Sequence, residues 1–82
     1  MEENIITQWA KENHVSNVEV YYHEVVEDDN TTFEYWGFKT NDCISYRDMD
    51  NLQKMTKAIH IIVNPDGKNL SVDIDIAYGK KS

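Results

Sequence analysis

The sequence predicts an α+β domain: a four-stranded, mostly antiparallel sheet of two hairpins with two short helices on one face, in the order α-β-β-α-β-β. Three observations carry this. Residues 70–78 alternate without a fault, with Leu70, Val72, Ile74, Ile76 and Tyr78 on one side and Ser71, Asp73, Asp75 and Ala77 on the other, as in a strand with one buried face. Before it, Asn64-Pro65-Asp66-Gly67 offers a turn back to residues 59–63, because proline presets φ and glycine admits φ > 0. Two further strand-rich runs, 18–26 and 32–40, flank the polar stretch Glu27-Asp28-Asp29-Asn30-Thr31 and form the other hairpin.

The first helix is expected over Glu2 to Asn13. Ile5, Ile6, Trp9 and Ala10 share one helical face, Glu2 and Glu3 suit the positive end of the helix dipole, and Asn13 suits the stop. Trp9 is its anchor on the sheet. In the first strand Val18, Val20, Tyr22 and Val26 are in phase. A three-residue loop would oppose Glu24 and Glu34, so like-charge repulsion favours a shifted pairing or a bulge. Gly37 marks a bulge or a place of close approach.

Asp48 or Asp50 caps the second helix, whose inner positions are Met49, Leu52, Met55 and Ile59. The same apolar spacing also fits one helix running on to Asn64. The β-branched run Ile59-His60-Ile61-Ile62-Val63 favours a helix stop near Lys57 followed by a strand. The register of the last hairpin stays open. A bulged turn pairs Asn64 with Lys68, whereas pattern matching puts Ile59, Ile61 and Val63 on the apolar face through a longer loop. Since that arm is apolar on both sides, a central position suits it.

Eighty-two residues make one domain, 1–82, with 79–82 as a frayed tail. A single cysteine, Cys43, excludes an intramolecular disulfide, and a small domain without such staples suits a reducing, cytoplasmic setting. The first residues carry acids where a signal peptide carries lysines, and no apolar run approaches ~18 residues. Fifteen Asp and Glu against eight Lys and Arg give a net charge of −7. That disfavours direct nucleic-acid or anionic-membrane binding, which needs a basic footprint. The acidity either keeps a small domain soluble or faces a basic protein partner.

Motifs for catalysis are thin. Asp73 and Asp75 lie on one strand face about 6–7 Å apart, which suits either a solvated face or a site for a metal or acid–base pair. His14, His23, His60 and Cys43 stand at no metal-ligand spacing. Asp48, Asp50 and Asn51 lack the glycine and distal glutamate of a calcium loop. The glycines are isolated, so no phosphate cradle and no cofactor is implied.

The aromatic group is more distinctive. Tyr21, Tyr22, Phe33, Tyr35, Trp36 and Phe38 put six of nine aromatics on the first hairpin. Alternation sends them to both faces, so Tyr21 and either Trp36 or Tyr35 should stay partly exposed. Ordinary cross-strand packing accounts for such a group, as does a contact surface. The expected function is a non-catalytic acidic protein-binding module. Its partner-binding residues are Glu24, Glu27, Asp28, Asp29 and Glu34 with Tyr21, Tyr35 and Trp36, because arginine or lysine can bond the acids and stack on the rings. On charge and size this resembles small acidic inhibitors, often phage-encoded, that occupy the basic site of a nucleic-acid-acting protein. The alternatives are a homodimeric structural or regulatory domain, or a small-ligand or metal-dependent enzyme domain using Asp73, Asp75 and His60.

Overall fold

Residues 3–79 are described by the computed structural model. The chain runs α1 (Glu3–Glu12), β1 (Glu19–Glu27), β2 (Thr31–Thr40), α2 (Tyr46–Thr56), β3 (His60–Asp66) and β4 (Asn69–Gly79). The four strands form one antiparallel sheet in the order β1-β2-β4-β3. The predicted class, element order and pair of hairpins are what the chain adopts. Glu2 and residues 80–82 of the expected tail lie outside the described residues, whereas Gly79 ends β4.

Alternation decides which side of the sheet is covered. Thr40, Phe38, Trp36 and Glu34 of β2 and Val72, Ile74 and Ile76 of β4 are buried, and they share the core with Ile6, Trp9 and Ala10 of α1 and Leu52 of α2. Trp9 packs on Phe38 with ring centroids 5.6 Å apart and donates its indole N–H to the Asp48 carbonyl at 2.8 Å. One side chain thus ties α1 to both the sheet and the first turn of α2.

Each helix ends for a local reason. In α1, His14 takes φ 57°, Val15 N–H reaches the Ala10 carbonyl at 2.8 Å and His14 N–H the Lys11 carbonyl at 3.5 Å. This is a Schellman stop with Val15 as its buried apolar residue. The N-cap of α2 is Ser45, in place of the expected Asp48 or Asp50: Ser45 Oγ accepts from Asp48 N–H, and the Asp48 carboxylate accepts from Ser45 N–H. The short serine reaches the third residue while the longer acid reaches back, so Asp48 serves as the reciprocal half of a capping box. At the other end Lys57, at φ 57°, closes α2 through the Gln53 carbonyl. Ile59 therefore lies beyond the helix and is exposed.

Both hairpin registers differ from a simple turn reading. Glu24 pairs with Tyr35 and Val25 with Glu34, so the pairing is shifted and the two acids are not opposed. Tyr21 is an unpaired bulge between Val20 and Tyr22. It breaks the expected in-phase set: Val18 and Val20 pack on the core, whereas Tyr22 and Val26 face the other way and are exposed. Gly37 is the predicted close approach, since a Cβ there would stand 3.0 Å from the Tyr21 ring.

In the second hairpin Ile61 pairs with Ile74 and Val63 with Val72. The apolar match is met through a shorter loop, because Asn64, Pro65 and Asp66 continue β3 and the turn falls on Gly67, at φ 63°, and Lys68. A proline that would break a central strand is accommodated at an edge, and β3 is an edge strand, not the central one expected.

Candidate functional site

Both helices lie on one side, so among the described residues the opposite face of the sheet has no helical cover. Across the strands it presents Tyr22, Glu24 and Val26 of β1, Phe33, Tyr35, Gly37 and Lys39 of β2, Ser71, Asp73 and Asp75 of β4, and His60 and Ile62 of β3. The bulge adds Tyr21, whose ring lies over Gly37. Its hydroxyl bonds Ser71 Oγ at 2.7 Å and donates to Asp73 Oδ1 at 3.4 Å, and Lys39 Nζ sits 5.3 Å from the ring centroid. Phe33 and Tyr35 stack with centroids 6.4 Å apart.

Because Gly37 has no side chain, the Tyr21 ring can lie against the sheet at this point. A depression of about 370 Å³ is lined by Tyr22, Glu24, Tyr35, Trp36, Ile62, Asp73 and Asp75. Three carboxylates and two phenol rings border it. Tyr22 donates to Glu24, and this bond, with partial desolvation, raises the phenol above its ordinary 10.0. His60 Nδ1 lies 3.9 Å from Asp75 Oδ2 at the β3 side. Asp73 and Asp75 therefore do share a concave feature, with His60 at its margin. Among the described residues no group of His, Cys, Asp and Glu is arranged to hold a metal ion.

Of the predicted partner-binding residues, Glu24, Tyr21 and Tyr35 belong to this open face. Glu27 ends β1, and Asp28 and Asp29 form the exposed tip, where Asp28 N–H bonds the Thr31 carbonyl and Asp29 N–H the Asp28 carboxylate, both at 2.8 Å. Tyr21 is 48% exposed and Tyr35 partly so, which resolves the either-or between Tyr35 and Trp36.

Glu34 and Trp36 are buried, although Trp36 is among the residues that line the depression. They point to the helix side and keep only 5% and 4% of their area exposed. The reason is phase, since Trp36 opposes Ile74 and Glu34 opposes Ile76. Trp36 stacks beneath His23, with ring centroids 3.7 Å apart. Glu34 receives His23 Nε2 at 2.8 Å and the Tyr78 hydroxyl at 3.0 Å. Burial alone would raise this carboxyl, but its hydrogen bonds, those of His23 and Tyr78 among them, hold it below its ordinary value. Burial first, and then the bond to Glu34, push the Tyr78 phenol up to about 12. Glu34 is a structural acid that locks the β1, β2 and β4 side chains together.

Sequence reasoning missed Tyr22, Lys39, Ser71 and Ile62 as parts of the open face. The usable signal was the period-two spacing of Tyr22, Glu24 and Val26, concealed by counting through the bulge from Val18.

The site and fold define a small α+β domain with a bare, acidic and aromatic sheet face. No family model, no curated protein and no solved structure matches the chain. Among the described residues no helix is long and apolar enough to cross a membrane.

Proposed function

We propose that this chain is a non-catalytic, acidic protein-binding module whose first hairpin engages a basic protein. The observation that carries the reading is a one-signed stretch. From Glu12 to Phe38 the sequence holds seven acids, Glu12, Glu19, Glu24, Glu27, Asp28, Asp29 and Glu34, and no Lys or Arg. Six of the seven are exposed, with Glu34 the buried exception. Tyr21 and Tyr35 supply rings beside Glu24 on which guanidinium or ammonium groups can rest. In its sharpest form the module is an inhibitor that occupies the basic site of a nucleic-acid-acting protein.

The test compares the native chain with a Glu27→Ser, Asp28→Ser, Asp29→Ser variant in affinity capture from a host lysate at low and high salt. The expected result is a basic protein retained by the native chain at low salt, released by high salt and lost by the variant. Equal, salt-independent retention by both chains overturns the reading.

The depression between Glu24, Asp73 and Asp75 favours a second reading, a small cationic ligand held by those three carboxylates against Tyr22 and Tyr35. A ligand-dependent rise in melting temperature that Asp75→Asn abolishes and the triple serine variant retains supports this reading over the first.

A further inference from the structure

The protein-binding reading leaves open how a partner would be held, and the backbone of the first hairpin bears on that. Strand β1 is one edge of the sheet, and among the described residues nothing pairs with its outer side. The hydrogen bond from Asp28 N–H to the Thr31 carbonyl fixes the phase of the β1–β2 ladder. In an antiparallel pair, residues alternate between bonding their neighbour and turning their backbone groups away. Counting back from Asp28, the groups of Val26, Glu24 and Tyr22 face β2, and those of Glu27, Val25 and His23 face outward.

The two edges are not equivalent. On β3, Pro65 removes a donor, and proline is a common guard of an exposed edge. From Tyr22 to Glu27, β1 has no proline, no lysine and no arginine, and every residue in it is exposed. The Tyr21 bulge marks where the register of β1 on β2 shifts. We infer that the outer edge of β1, from Tyr22 to Glu27, receives an extended Lys- or Arg-bearing segment of a partner protein as a fifth strand of the sheet. This rests on the protein-binding reading above and names its mode.

Charge selects the occupant. An added strand sets side chains beside Tyr22, Glu24 and Val26 on the bare face and beside His23, Val25 and Glu27 on the helix face. Both rows contain a carboxylate, with Asp28 and Asp29 just beyond. A basic strand is matched on either face. A second copy of this chain is the weaker match, because its own β1 brings carboxylates and no lysine or arginine to this edge, and pairing about Glu24 sets that residue against itself.

The probes are short synthetic peptides alternating Lys or Arg with Val or Thr, and the same peptides methylated at alternate backbone nitrogens. Amide hydrogen exchange followed by NMR is the decisive readout. Binding of the unmethylated peptide slows exchange at His23, Val25 and Glu27 and leaves Tyr22, Glu24 and Val26 unchanged. Affinity falls roughly tenfold or more on methylation, and equally with Val25→Pro, whose lost N–H faces outward and spares the β2 ladder.

Binding with no new protection at His23, Val25 and Glu27, and indifferent to methylation, overturns strand addition. If the triple serine variant still loses that binding, the protein-binding reading stands without it. Failure of every basic peptide to bind overturns both. A native dimer that Val25→Pro dissociates assigns the edge to a second copy and overturns the inference. The methylated peptides need no protein variant, so a misfolded Val25→Pro chain does not blunt the test.

Discussion

The two faces of the sheet are made by the same strands, residue by residue, and differ in almost every property. On β2 the inward set is Thr40, Phe38, Trp36 and Glu34, and the outward set is Lys39, Gly37, Tyr35 and Phe33. Both contain aromatic rings, yet one is sealed under α1 and α2 and the other carries acids and open phenols. Aromatic content thus does not distinguish core from surface here. The neighbours across the ladder do, because Ile74 and Ile76 stand beside Trp36 and Glu34, while Asp73 and Asp75 stand beside Gly37 and Tyr35.

The sharpest way to break this contrast is to truncate one ring on each side. Phe38→Ala should cost about 3–5 kcal/mol, because Phe38 is fully buried against Trp9. Tyr35→Ala on the bare face should cost below ~1 kcal/mol. Urea denaturation of the two variants measures both, and equal losses would mean that the bare face is covered in solution.

Next in size is Glu34→Gln, which removes the charge from the buried acid among the described residues and should cost ~1–3 kcal/mol. The folded carboxyl lies below its ordinary 4.5. Its contribution is therefore complete above that value and is lost as pH falls through the lowered folded pKa. The stability gap between native and variant chains should close on acidification, and a gap constant through the acid range would refute the assignment.

Ser45→Ala tests how firmly the helical lid is fixed. Loss of the Ser45–Asp48 capping box should cost about 1 kcal/mol, read as a lower urea midpoint at unchanged slope.

The smallest effect is expected for Gly37→Ala. The new methyl meets the far end of the Tyr21 ring at 3.0 Å, and that exposed ring can swing clear. Stability should change by less than ~1 kcal/mol. The Tyr21 ring resonances should shift as its hydroxyl leaves Ser71.

The fold was legible wherever a pattern repeated. The nine-residue alternation of β4, the anchoring role of Trp9 and the stop near Lys57 follow from periodicity and local backbone preference, and the chain adopts all three. What stayed hidden depends on a single residue of offset. One bulge at Tyr21 exchanges the faces of β1, and the turn around Pro65 slides two residues onward so that Ile61 and Val63 meet Ile74 and Val72. Core matching outweighed the local turn preference of Asn64-Pro65. The same uncertainty hid the burial of Glu34 and Trp36, since their chemical character suits either face and only the pairing with β4 chooses.

The extra residue in β1 has a mechanical meaning as well. The strand is held at both ends: by Val18 and Val20 on the core side, and at the tip by the Asp28–Thr31 bond. Without a surplus residue those two fixtures would demand opposite phases of the intervening backbone. Deleting Tyr21 would therefore leave the chain to choose, either lifting its valines out of the interior or turning its outer half over. In the second case Tyr22, Glu24 and Val26 would swing round to the helix side and His23, Val25 and Glu27 to the open one.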